Sequence, residues 1–134
     1  MFVQFWLCPQ QWNHGGYDVA CLINWKTQEN ELKFMLRFVQ ITASHMHSLK
    51  LDYFQELVDV LESTFNINIL RIEILMLLPD KVSAQAFKVL TVSSPGCLCN
   101  WDCGTTGKKW IDGNEQEQVR VMYFDSMKQK IESM

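Results

Sequence analysis

The chain has 134 residues, enough for one domain with its own core; 48% hydrophobic and 20% charged side chains argue against disorder and against dependence on disulfides or metal. Twelve basic and 15 acidic side chains give a formal net charge of −3, so the positive field that nucleic-acid backbones require is absent and no nucleic-acid partner is expected. One segment, residues 50–66, holds the whole acidic excess, setting Lys50 against Asp52, Glu56, Asp59 and Glu62.

The opening MFVQFWLCPQQ lacks the basic region of a secretion signal, and its apolar run stops at Pro9. Residues 2–7 read as a short strand, apolar on both faces, well inside a sheet. After Gly15 and Gly16, Tyr17, Val19, Cys21, Ile23 and Trp25 alternate with polar residues; Leu32, Phe34, Leu36 and Phe38 repeat the pattern beyond the turn TQEN. The pair predicts a hairpin with one buried face per strand.

From Ser48 to Phe65 the period changes. Phe54, Leu57, Val58, Leu61 and Phe65 recur at helical spacing, predicting an amphipathic helix with a capping box at Asp52 and Gln55, or a start at Ser48, and a stop at Asn66. The preceding SHMHS reads as a loop. Residues 67–78 predict a central strand covered on both sides. Arg71 and Glu73 interrupt this longest apolar stretch, which is too short and too charged for a membrane span. AFKVLTVSS predicts a further strand, antiparallel to the last because PDKVSAQ is too short for a helical crossover. Past the cysteine-rich loop, Asn114 and Glu117 suit the cap of a C-terminal helix carrying Val119, Tyr123, Met127 and Ile131. The competing reading makes VRVMYF a strand, with a shorter helix capped at Asp125. The expectation is one α+β domain over residues 1–134: a mostly antiparallel sheet of about five strands, a central amphipathic helix and a C-terminal helix.

Three of the five cysteines, Cys97, Cys99 and Cys103, lie in GCLCNWDCGTTGKKW. Their C-x-C-x3-C spacing is tighter than the two-to-four-residue gap that aims paired thiolates at zinc, and the fourth ligand would come from His45, His47, Cys21, Cys8 or His14. The C-x-x-C of thiol redox sites is missing. A phosphate-binding loop is excluded, because position 102 is Asp where its first glycine belongs and position 109 is Lys where Ser or Thr belongs. Gly104, Gly107 and Gly113 read as turn positions permitting positive φ. There is no G-x-S-x-G elbow, no catalytic-cysteine signature and no H-E-x-x-H, so no enzyme is expected.

Two functional expectations follow. The first is a small acidic protein-binding protein of the cytoplasm that acts by occlusion, as an immunity protein, antitoxin or inhibitor covers a toxin or effector. Its contact residues would be Trp101, Asp102 and Trp110 in the loop and Glu56, Asp59 and Glu62 on the helix, with Trp12 in another connection. The alternative is a zinc-binding or thiol-dependent protein centred on Cys97, Cys99, Cys103 and His45. The cytoplasmic expectation rests on the missing secretion signal and the odd cysteine count.

Overall fold

The computed structural model describes residues 3–8 and 16–124. Strands β1 (Val3–Leu7), β2 (Val19–Lys26) and β3 (Leu32–Ile41) form an antiparallel meander. The β2–β3 turn closes through Thr27 and Glu31, the Thr27 N–H donating to the Glu31 carbonyl at 2.8 Å. Asn30 takes the left-handed conformation there (φ 65°), which asparagine tolerates better than most residues.

The segment SHMHS is not a loop. It supplies strand β4 (Met46–Lys50), which runs directly into helix α1 (Leu51–Thr64). That continuity displaces the expected capping box: Lys50 is the N-cap, no side chain caps the helix, and Asp52 lies inside the first turn. At the other end Asn66 stops the helix as expected, adopting φ 54°, and the Ile67 N–H returns to the Leu61 carbonyl at 3.0 Å. Strand β5 (Ile69–Leu78) then pairs parallel with β3, and the connection through β4 and α1 is long enough for that crossover. After the short helix α2 (Lys81–Gln85), whose first turn is capped by the Asp80 carboxylate accepting from the Ser83 N–H at 2.8 Å, comes β6 (Lys88–Ser93). β6 does not return antiparallel to β5; it pairs parallel with β4 in a separate two-stranded sheet.

The chain comes back to the large sheet through β7 (Asp102–Cys103), the single-turn helix α3 (Glu115–Gln118) and β8 (Arg120–Tyr123). β7 and β8 lie one after the other along the same edge of β5, both parallel to it. The C-terminal helix reading is therefore corrected over residues 120–123, where β-branched content prevails and the competing strand reading holds. Its extension from Asp125 lies outside the described residues.

The class is α+β, with a mixed sheet of order β1–β2–β3–β5, flanked beyond β5 by β7 and β8. β1 stands at the edge of that order and not inside it; Phe5 and Trp6, on opposite faces, are both exposed. The largest apolar cluster lies on one face of this sheet, and β5 is buried on both faces over Ile72–Leu78, as expected of a central strand. Ala20 and Leu22 of β2, Leu36 and Phe38 of β3, and Ile72, Ile74, Met76 and Leu78 of β5 meet Leu51, Phe54, Val58 and Leu61 of α1. Tyr17, Phe38 and Phe54 stack at its centre, with Phe38 and Phe54 ring centroids 4.7 Å apart.

Candidate functional site

The cysteine-rich loop is a core lid whose thiols face three different surroundings. Successive turns, closed by the N–H groups of Cys97, Cys99 and Trp101 on the carbonyls of Ser94, Gly96 and Leu98, fold residues 94–101 back so that Leu98 enters the core. A small hairpin follows: the Trp110 N–H donates to the Trp101 carbonyl at 3.1 Å, Cys103 bonds Lys108 at 2.6 Å, and Gly107 turns with φ 76°. The GTTGK segment is thus a hairpin turn, not a phosphate cradle. Trp101 and Trp110 retain only 9% and 3% of their surface, and the Trp110 Nε1–H donates to the Ile72 carbonyl at 3.0 Å. They seal the core under the loop and have little area left for a partner.

Cys103 is buried with its Sγ on the Gln118 carbonyl at 3.3 Å, whereas Cys97 and Cys99 are half-buried. Burial pushes the Cys97 thiol up to about 11, aided by the negative charge of Asp52, Cys99 and Asp59. Such a thiol keeps its proton near neutrality and is a poor nucleophile and a poor metal ligand without prior ionisation. His45 is exposed ahead of β4, and His47 on β4 turns its Nδ1 to the Ser48 carbonyl at 2.7 Å. Among the described residues no three His, Cys, Asp or Glu side chains group around one point. Trp12 and His14 lie outside the described residues.

Of the acids expected on the polar face of α1, Glu56 and Asp59 are exposed opposite the buried stripe; Asp52 joins them there, and the exposed Val60 and, past the helix end, Phe65 flank them. Glu62 turns aside, its carboxylate accepting from the Ile69 N–H at 3.3 Å. The helix has no basic residue, so Asp52/Glu56, Glu56/Asp59 and Asp59/Glu62 are like-charge neighbours at helical spacing, each costing about 0.2–0.5 kcal/mol. Glu62, in the last turn, also opposes the helix dipole.

The other face of the sheet holds a cluster that the sequence reading passed over. Residues alternating with the core positions place Cys21, Ile23 and Trp25 of β2, Met35, Arg37 and Val39 of β3, and Arg71, Glu73, Leu75 and Leu77 of β5 on this face. Asp102 stands opposite Arg71, and Arg120 opposite Leu75. All three arginines of the chain share this side.

At its centre is Glu73, 3% exposed in the most apolar strand. The Arg37 Nε–H donates to its Oε1 at 2.6 Å, and Arg120 Nη2 approaches Oε2 at 3.6 Å; the two arginine side chains are 31% and 43% exposed. The hairpin lies directly over the carboxylate. The Gly104 N–H donates to the Ile72 carbonyl at 3.0 Å, and a Cβ on Gly104 would meet the Glu73 Cβ at 2.7 Å. Gly104 is therefore needed for close approach and not for the positive φ that its neighbour Gly107 adopts. Asp102 does not answer Arg71: it pairs with Lys109 at 3.5 Å, while the Arg71 guanidinium sits 6.0 Å from the Trp25 ring centroid.

Burying a carboxylate costs several kcal/mol even when paired, and an apolar residue of similar volume is often as stable or more so. The two arginines on Glu73 offset that cost, so the trio fixes where these side chains stand more than it adds to stability. The alternation that puts arginines at 37 and 71 on definite strand faces is visible in the sequence, but only the register brings them to one side, and only the hairpin covers Glu73. Comparisons with protein-family models, curated proteins and solved structures return no match to this chain.

Proposed function

We propose that this is a binding protein that acts by occlusion, presenting the acidic face of α1 to a basic protein surface, as an immunity protein or inhibitor would cover a toxin or effector. The observation that carries the reading is the helix itself: Asp52, Glu56 and Asp59 face solvent with no basic residue among them, against the local cost of like-charge neighbours. Their field would steer a cationic partner, and the exposed Val60 and Phe65 at the margin supply apolar contact after encounter. Trp101 and Trp110 act in this reading as supports of the loop beside α1, not as anchors.

Affinity capture from the source cells, with bound proteins identified by mass spectrometry, tests it. The expected result is a stoichiometric partner with a basic surface, released by raised salt and lost on Glu56→Lys with Asp59→Lys while the domain stays folded. A partner held equally by wild type and this variant, or no basic partner at all, rejects the surface.

A further inference from the structure

We propose a second binding site on the opposite face of the sheet, an oxyanion site for a carboxylate or phosphate group, built by Arg37 and Arg120 about Glu73 with Arg71 at its rim. The site does not depend on the acidic helix and would stand if that reading failed.

A guanidinium has five N–H donors in a fixed plane. Glu73 engages Nε of Arg37 and approaches one terminal nitrogen of Arg120; among the described residues no other acid pairs with either, and the two side chains are 31% and 43% exposed. The buried carboxylate is itself sealed by Gly104, so it holds the two forks from below while their outer edges stay accessible. This separates the roles: an inward acid fixes orientation, and the outward donors await a ligand. Planar, paired donors of this kind match the two oxygens of a carboxylate or phosphate.

Charge points the same way. Arg37 and Arg120 share one acid, and Asp102 is taken by Lys109. Among the described residues no carboxylate lies within ion-pair distance of Arg71, whose guanidinium is spread over Trp25. The cluster of Arg37, Arg71, Arg120 and Lys109 against Glu73 and Asp102 is therefore a cationic island in a chain of net charge −3. Cys21, Ile23, Val39, Leu75 and Leu77 around it are buried, so the surroundings are poor in competing polar groups.

The test titrates the full chain with inorganic phosphate and, separately, with a glutamate-rich peptide, reading tryptophan fluorescence and the rise in Tm. Binding of phosphate alone assigns a phosphate ligand, binding of the peptide alone a carboxylate ligand, and either supports the site. Arg71→Gln and Arg120→Gln each weaken binding by about tenfold, as loss of a charge-assisted hydrogen bond does, while Lys81→Gln on α2 leaves it unchanged. Glu73→Leu is the sharper arm. It raises the local positive charge, so simple attraction predicts tighter binding, whereas loss of the inward brace predicts weaker binding with the fold retained. Binding of neither probe, tighter binding by Glu73→Leu, or equal response of the arginine variants and wild type would overturn the proposal.

Discussion

The two sides of the main sheet treat charge in opposite ways. On α1 the acids are exposed, mutually repulsive and free of basic neighbours within the helix. On the far face the arginines are braced by an acid 3% exposed. In water the first arrangement costs tenths of a kcal/mol per pair and can be rewritten cheaply. In the second, the carboxylate has left water and its partners cannot be removed one at a time. A solvated charge pattern sets what a surface attracts, whereas a buried pair sets where side chains stand.

The largest effect expected is at that buried pair. Arg37→Met leaves Glu73 with Arg120 alone and should destabilise the fold by about 3 kcal/mol in urea unfolding, while adding Glu73→Leu to it should recover most of the loss. If the single and double variants are equally unstable, Arg37 acts through packing and the contrast with the helix weakens. Next comes Gly104→Ala, which forces a Cβ against Glu73 and should cost about 1–3 kcal/mol; the same change at Gly107, where φ is 76° and no atom lies within 4 Å of the added Cβ, would instead report backbone strain.

On the helix the sign reverses. Glu56→Lys removes repulsion with Asp52 and Asp59 and places a base four residues after an acid, so it should stabilise the fold by about 0.5 kcal/mol in the same assay while weakening capture of a basic partner. A destabilised variant would mean that Glu56 has a structural role unlike the solvated one assigned to it.

Cys97 links the acidic helix to the loop, because Asp52 and Asp59 reach it through space, and the pH dependence it causes is confined to alkaline pH. Its folded value lies above the ordinary 9.0, at about 11. The folded state thus holds the proton longer than the unfolded chain, and Cys97 contributes stability in full below pH 9.0 that is lost as the pH rises toward about 11. Stability measured across that window should fall less steeply in Cys97→Ser. Asp52→Asn with Asp59→Asn should speed alkylation of Cys97 at mildly alkaline pH, and an unchanged rate would leave burial and Cys99 as the causes.

Much of the local structure was legible because periodicity is local. The alternation in β2 and β3, the helical spacing of Phe54, Val58 and Leu61, and the helix stop at Asn66 all reappear. The acidic face was equally readable, since residues at helical spacing need no partner to define a side. The spacing of the cysteines is plain in the sequence, but the separate burial of Cys103 and the turns around Cys97 and Cys99 depend on the fold. The place of Trp101 and Trp110 in a loop suits a core lid or a partner contact equally, and only the folding of the loop onto the core decides for the lid.

What the sequence determined by itself is the strand or helix character of its strongly periodic segments, β2, β3, α1 and β5, and which of their faces are apolar, because backbone sterics and the hydrophobic effect act on neighbouring residues. What only the tertiary structure decided is who stands beside whom. Pairing of β4 with β6, the edge position of β1 and the parallel docking of β7 and β8 on β5 depend on contacts between distant segments. The bracket of Arg37, Glu73 and Arg120 exists only because β3, β5 and β8 align in one register. A one-residue slip would turn its side chains to the opposite face, and the burial of Leu36 and Phe38 of β3 against α1 is what opposes that slip.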